Sequence, residues 1–307
     1  MAFTAKDVQT LREKTGVGMM DCKKALVEAD GDMDKAIDIL REKGLASAAK
    51  KASRVAAEGV VAAYSDATAG ALVEINCETD FVAKGEPFIN LANKVAKTVV
   101  EAKPADVGAL LAAKVSGSDK TVDEEIQEVF LALRENMKVR RFALVEGHTA
   151  TYIHAGGTVG VIVSFDTDDA TAAKPEFNVM GKDVAMQVAA MSPSYLDEAS
   201  VPAEVIGKEK AILIAQMKED PKMANKPEQV LAKIVEGKIG KYYKENCLVE
   251  QAFVKDGDLS VAKYVANVAK ELGADIKITG FTRFAKGEGI EKKEENFAAE
   301  IASMMGN

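Results

Sequence analysis

Apolar positions in the first 45 residues recur at the spacing of amphipathic helices. The positions that carry this pattern are Val8, Leu11, Met33, Ala36, Ile37 and Leu40. Thr4 and Asp7 have the spacing of a capping box, which predicts a helix start, and Gly16 and Gly18 interrupt the chain after the first helix. We predict three short helices in a module over residues 1–45. So small a module buries little apolar area, which is more typical of a binding domain than of an enzyme.

The period of the apolar pattern changes after a linker. The stretch LASAAKKASRVAAEG has no apolar stripe, and we predict a linker over residues 46–58. Two β-branched runs follow, from Gly59 to Tyr64 and from Ala71 to Asn76, and they predict strands. One face of the next helical segment carries Phe88, Leu91, Val95 and Val99. The predicted order is strand, strand, helix.

The same order recurs later in the chain, which indicates an internal duplication. Tyr152 lies 88 positions after Tyr64, and Phe177 lies 89 positions after Phe88. The apolar run GVIVSF lies between Tyr152 and Phe177. We therefore predict an α+β fold whose core consists of two related halves with antiparallel sheets.

A helical hairpin interrupts the second half. Two helical patterns flank the segment DPKMANKP, whose Pro221 and Pro227 end the two arms. Near the end of the chain, Phe297, Ile301 and Met304 predict a last amphipathic helix. The predicted units are a helical module (1–45), a linker (46–58), a first core half (59–139), a second core half (140–200 and 246–284), an inserted hairpin (201–245) and a C-terminal module (285–307).

Composition narrows the classes of function. The formal net charge of -8 and the lack of Trp disfavour nucleic acid as a direct partner. The first residues carry charge, and no later run approaches a membrane span, so we expect a soluble, cytoplasmic protein that does not bind a membrane. Three well-separated cysteines favour free thiols, and two histidines outside any metal-ligand spacing predict neither a bound metal nor another cofactor.

The most unusual segment is EINCETDFVAK, residues 74–84, where an apolar strand ends on Thr79 and Asp80 and a bulky apolar pair follows at once. One interpretation is structural: Thr79 caps a helix while Phe81 fills the core. The other is an exposed tip, Thr79–Val82, in which an apolar wedge beside a carboxylate inserts into a groove of a partner protein. These residues alone favour the first interpretation and leave the second open.

Three other segments have a structural and a functional interpretation. In LREKTGVGMMDCKKAL, residues 11–26, two adjacent Met cannot share one helix face, so we expect one in the core and the other at a contact surface. The basic run RENMKVRR, residues 134–141, is a solvated helix end or a complement to an acidic partner. HAGGTVG, residues 154–160, lacks phosphate-loop spacing and predicts a hairpin turn.

LREKTGVGMMDCKKAL and EINCETDFVAK resemble, without a gap, the two hallmark segments of the bacterial elongation factor Ts family. The resemblance extends along essentially the whole chain, from an N-terminal module like a ubiquitin-associated domain to the C-terminal segment GFTRFAKGEGIEKKEENFAAE. It implies a guanine nucleotide exchange factor that binds elongation factor Tu with GDP, promotes GDP release in translation elongation, and is not an enzyme.

The resemblance also implies the contact residues. Thr79, Asp80, Phe81 and Val82 would form the tip that disturbs the magnesium ion at the partner's nucleotide site. Arg12, Met19, Met20 and Lys23 would contact the partner's nucleotide-binding domain, and His154 in the second half would contact another of its domains. The inserted hairpin is a candidate surface for self-association.

Two other hypotheses make different predictions. A passive adaptor, in which the N-terminal module binds a partner and the core only supports it, requires a buried Phe81. A thiol enzyme would use Cys77 as nucleophile with His154, although the strand context of Cys77 is more typical of a small buried residue.

Overall fold

Three helices form the N-terminal module, as predicted. The computed structural model describes residues 3–219 and 226–290. The helices are α1 (Ala5–Thr15), α2 (Met19–Glu28) and α3 (Met33–Lys51). Thr4 and Asp7 make the predicted capping box, with the Asp7 carboxylate accepting from the Thr4 amide at 2.7 Å. Helix α3 continues to Lys51, inside the segment predicted as a linker, so the linker begins as helix.

The first half of the core is a three-stranded antiparallel sheet covered by helices. Its strands are β1 (Glu58–Ser65), β2 (Ala69–Cys77) and β3 (Lys138–Glu146), in the order β1-β2-β3. The helices between β2 and β3 are α4 (Asp80–Ala83), α5 (Glu86–Ala102), α6 (Val107–Ala112) and α7 (Val122–Leu133). The predicted stripe of α5 is buried against this sheet. The division predicted between residues 139 and 140 falls inside β3, which pairs with β2, and the division into domains remains a prediction.

The second half repeats this arrangement. Its strands are β4 (His148–His154), β5 (Val159–Asp166) and β8 (Lys277–Ala285), in the order β4-β5-β8, and a small sheet pairs β6 (Ala252–Phe253) with β7 (Asp256–Ser260). Its helices are α8 (Asp169–Ala172), α9 (Pro175–Met191) and α12 (Val261–Leu272). Helices α8 and α9 start 89 positions after α4 and α5, as 169 follows 80 and 175 follows 86. Mixed helices and antiparallel sheets confirm the α+β prediction.

The two sheets pack face to face. Side chains alternate between the two faces of each strand, so one set contacts the helices and the other set contacts the second sheet. Val60 and Ala62 point toward α5, whereas Val61 points the other way and packs with Leu72 and Ile162. The Val61 amide also donates to the Gly157 carbonyl at 2.8 Å. Helices therefore lie on the outer faces of the two sheets. The turns that follow β2 and β5 are at the surface.

Two long helices form the inserted hairpin. They are α10 (Ala203–Glu219) and α11 (Glu228–Asn246), and they pack through Leu213, Met217, Val235 and Ile239. Residues 220–225 of the predicted connection and residues 291–307, with the predicted last helix, lie outside the described residues. Within the described residues, no helix is long and apolar enough to span a bilayer.

Candidate functional site

The turn after β2 exposes one large apolar side chain. Thr79 has extended backbone angles and caps α4, with its Oγ1 accepting from the Val82 amide at 3.3 Å. Helix α4 is a single turn that places Val82 and Ala83 in the core and leaves Phe81 85% exposed. The capping half of the structural interpretation holds, but Phe81 does not fill the core.

The carboxylates near this turn have defined partners. Thr79 donates to Glu135 from its amide at 3.0 Å and from its hydroxyl at 2.6 Å. Asp80 is the first helical residue rather than the cap, and it pairs with Lys84 at 2.6 Å. The hydrogen bond from Lys84 lowers the pKa of Asp80 below its ordinary value, so an ionised carboxylate paired with Lys84 lies beside the exposed aromatic ring.

The predicted tip residues are thus divided between the surface and the core. Thr79, Asp80 and Phe81 are exposed, whereas Val82 is 6% exposed and belongs to the apolar cluster of the first half. A buried Val82 anchors the turn, so any direct contact with another molecule falls to the three exposed side chains.

All four predicted residues of the N-terminal module are at the surface. Arg12 and Lys23 are exposed, and so are Met19 (48%) and Met20 (63%). The expectation that one of the two Met lies in the core is wrong. Helix α2 begins at Met19, and its buried positions are Cys22, Ala25 and Leu26. Both Met side chains are therefore exposed in its first turn, and we call this pair the Met19–Met20 patch.

His154 ends β4, at the start of the hairpin turn that HAGGTVG predicts. Ala155, Gly156 and Gly157 have positive φ values of 46°, 64° and 95°, which a tight β4–β5 connection requires. A Cβ at Gly157 would lie 2.9 Å from Cβ of Val60, so glycine also allows the two sheets to approach. His154 is exposed, and its Nδ1 lies 3.1 Å from the Tyr152 hydroxyl.

The thiol that the enzyme hypothesis requires is inaccessible. Cys77 is fully buried, and burial together with Glu135 raises its pKa to about 12, so it is protonated near neutral pH. Its Sγ donates to the Thr79 carbonyl at 3.2 Å. Over the two described ranges, the structure contains no cluster of three or more His, Cys, Asp or Glu that could hold a metal ion.

Sequence reasoning missed the role of the basic run. Arg140 and Arg141 pair with Glu74 at 3.0 and 2.6 Å, and Arg134 pairs with Asp21 at 3.1 Å. Glu74 is fully buried, which is a costly place for a carboxylate unless it is paired. Its position inside an otherwise apolar strand was the signal that basic partners had to come from elsewhere in the chain.

An exposed apolar turn and an exposed Met pair, both on well-packed supports, are typical of a protein-binding factor. Residues 78–288 match the family model described as Elongation factor TS. The chain is 52% identical to the elongation factor Ts of Clostridium perfringens strain 13 over 309 residues, covering 99% of each chain. It is 48% identical to that of Syntrophotalea carbinolica over 310 residues, again with 99% of each covered. The chain belongs to the elongation factor Ts family.

Proposed function

We propose that this protein is the guanine nucleotide exchange factor of elongation factor Tu and has no catalytic site of its own. Membership of the elongation factor Ts family supports the pairing with this GTPase. The observation that carries the mechanism is Phe81, which is 85% exposed on a turn that its neighbours hold in place. An aromatic ring kept in water by a capped turn is suited to burial in a partner.

In the proposed mechanism, Phe81 enters the GTPase near its nucleotide site and displaces groups that hold the magnesium ion. Magnesium neutralises the phosphates of the bound nucleotide, so its loss weakens GDP binding. Burying an aromatic side chain contributes roughly 1.5–3 kcal/mol. A hundredfold weakening of GDP corresponds to about 2.7 kcal/mol, so the wedge is of the right size to supply much of the coupling.

The remaining predicted residues have distinct proposed roles. Arg12, Met19, Met20 and Lys23 contact the nucleotide-binding domain of the GTPase, where the flexible Met pair adapts to its surface. Asp80 contributes charge beside Phe81, and Val82 anchors the turn from the core. His154 contacts a second domain of the partner. We place the complex in the cytoplasm, where translation elongation takes place.

The test is stopped-flow release of fluorescent GDP from elongation factor Tu. We expect the wild-type protein to accelerate release strongly and Phe81→Ala to lose most of the acceleration while still binding. Val179→Ala is the matched control, because Val179 is also an exposed apolar residue (59%) and lies on α9. It should retain the wild-type rate. Release that the wild-type protein leaves unchanged would contradict the proposal.

The passive adaptor hypothesis requires a buried Phe81, and the exposed ring argues against it. The thiol-enzyme hypothesis requires an accessible, ionisable Cys77, and its burial and raised pKa of about 12 argue against that alternative.

A further inference from the structure

The three residues after α7, which we call the junction (Arg134–Asn136), each bind a different part of the molecule. Arg134 ends α7 in the left-handed conformation with φ 59°. Its guanidinium donates to Asp21 at 3.1 Å, next to Met20 in α2, and its carbonyl accepts from Lys51 at the end of α3. Arg134 therefore binds the N-terminal module twice.

The second junction residue binds the tip. The two carboxylate oxygens of Glu135 accept from the hydroxyl and amide of Thr79. Thr79 is the cap of α4, so its position determines where the turn bearing Phe81 starts. Two adjacent junction residues thus bind Asp21, which follows Met20, and Thr79, which caps the helix that carries Phe81.

The third junction residue binds the segment that joins the module to the core. Asn136 is 7% exposed, and its backbone amide donates to the Glu78 carboxylate at 2.7 Å. Its side chain donates to the carbonyls of Arg54 (2.8 Å) and Ala52 (3.3 Å). Since Glu78 also pairs with Arg54 at 3.2 Å, the predicted linker is bonded both to the junction and to the residue that precedes the tip.

Apolar packing reinforces these polar contacts. Leu131 of α7 is buried in the apolar cluster of the N-terminal module, together with Leu11 and Leu40. It packs so closely on α3 that a Cβ at Gly44 would lie 1.9 Å from its Cδ2. The module is therefore docked on α7 rather than suspended from a free linker.

We propose that the junction holds the N-terminal module and the tip at a fixed separation, so that the Met19–Met20 patch and Phe81 form one preformed contact surface. Glu135 is the positioning residue on the tip side. The functional part of this inference rests on the proposed exchange function. Preorganisation matters because a module on a flexible linker must be ordered during binding, which reduces the affinity for the partner.

The first measurement uses the free, full-length protein. Spin labels are attached to Lys24→Cys in α2 and Glu86→Cys at the start of α5. Double electron–electron resonance then measures the distance between the two labels, and so between the module and the core next to the tip. The native Cys22, Cys77 and Cys247 are all fully buried, so labelling is directed to the introduced thiols. We expect a narrow distance distribution in the otherwise wild-type protein. A broad distribution there overturns the proposal.

Variants of the junction then test what maintains the distance. Arg134→Ala/Glu135→Ala should broaden the distribution, whereas Glu135→Gln, which keeps an acceptor for Thr79, should not. Lys103→Ala is the control, because it removes an ion pair with Glu146 that involves neither the module nor the tip. A distribution that stays narrow in the double variant overturns the proposal.

A second variant disturbs docking without touching the junction. Gly44→Ala forces Leu131 to move and should broaden the distribution. Gly237→Ala is its matched control, since Gly237 is also helical but has no atom within 4 Å of the added Cβ. Both substitutions favour helix in isolation, so broadening by Gly44→Ala alone is the expected sign of lost docking. No broadening contradicts the docked module.

Stopped-flow GDP release tests the functional consequence. In the double variant we expect the concentration for half-maximal acceleration to rise about tenfold, equivalent to about 1.4 kcal/mol. The maximal rate should stay within about twofold, because the bound tip is intact. An unchanged half-maximal concentration with a broadened distance overturns the preformed-surface inference. If the wild-type protein does not accelerate release, the exchange function fails, and the distance measurements alone decide whether the junction holds the module.

Discussion

The segments that follow β2 and β5 have the same order of elements but differ in their side chains. Each segment starts with a polar cap and a four-residue helix, and a 17-residue helix follows. The caps are Thr79 and Asp168, and both long helices end in a left-handed residue, Lys103 with φ 46° and ψ 54° and Ser192 with φ 46° and ψ 53°. The second half therefore reproduces the order and the lengths of the elements that support the tip, and the backbone angles at the end of the long helix.

The difference lies at the exposed position. Phe81 in the first turn corresponds to Ala170 in the second, and both are exposed. The first turn also has an added contact, because Glu135 binds Thr79. The same scaffold thus carries a large apolar side chain in one half and none in the other, so the backbone geometry alone does not decide which side chain is exposed there.

The largest expected effect concerns the charge buried in the first sheet. Glu74 lies where the two sheets pack, and it accepts from Arg140, Arg141 and the Gly287 amide. In the apolar layer beside it, the second half supplies Ile162 and Phe284. Glu74→Ala should lower the free energy of unfolding by about 3 kcal/mol, because it leaves two arginines without their buried partner. Urea denaturation measures this loss.

The pH dependence of stability gives an independent check. Burial alone would raise the pKa of Glu74, but hydrogen bonds from Gly287, Arg141, Arg140 and Asn76 outweigh it and lower the pKa below its ordinary value of 4.5. A lowered folded pKa contributes stability above the unfolded value, and that stability is lost as pH falls through the folded value. Glu74→Gln should therefore show a shallower loss below about pH 4.5. Glu288→Ala is the control, since Glu288 is half exposed. If both variants lost stability equally as the pH falls, the role of burial would be contradicted.

The next largest effect comes from exchanging the two exposed positions. Phe81→Ala/Ala170→Phe moves the aromatic ring to the equivalent turn of the second half. We expect GDP release to remain as slow as with Phe81→Ala alone, at least about tenfold below wild type, since in the proposed complex only the first turn enters the nucleotide site. Ala170→Phe alone should retain the wild-type rate. Recovery in the double variant would show that the two turns are interchangeable.

A smaller effect separates the two caps. Thr79→Ala and Asp168→Ala each remove an acceptor for a helical amide, Val82 in the first case and Thr171 in the second. Each should cost about 1 kcal/mol of stability, measured by thermal unfolding. Only Thr79→Ala should also raise the concentration for half-maximal acceleration of GDP release, because it loses the hydroxyl bonded to Glu135. Equal effects on release would remove the distinction between the halves.

The smallest effect is expected at Cys77, the last residue of β2, whereas β5 ends on Asp166. With a pKa of about 12 and no exposure, the thiol should not react with a disulfide reagent at pH 8 in the folded protein. Cys77→Ala should leave GDP release unchanged within about twofold. A complete loss of the activity would instead favour the thiol mechanism.

Local patterns anticipated much of the fold. The strand predicted from Gly59 to Tyr64 is β1 (Glu58–Ser65), and the capping box predicted at Thr4 and Asp7 opens α1. Such features depend on residues a few positions apart, so they can be recognised in the chain itself. The third strand, β3, was missed because its arginines make it look like a charged helix end. These arginines can lie in a sheet because Glu74, on the neighbouring strand β2, provides the carboxylate that pairs with them.

The candidate site shows the same division. The sequence identified the tip and the Met pair as unusual, but the exposure of Phe81, the burial of Val82 and the exposure of both Met follow from how helices α2 and α4 pack. No local pattern predicts the contact of Glu135 with Thr79, because the two residues are 56 positions apart in the chain.

By itself the sequence determined the type of most helices and strands, the internal duplication, several helix caps and the family, because these are properties of neighbouring residues or of the order of residues. The tertiary structure decided which apolar residue stays in water, which carboxylate is buried and how the junction joins the N-terminal module to the tip. Those outcomes depend on contacts between distant segments, where the burial of one group is compensated by a partner that only the folded chain brings within reach.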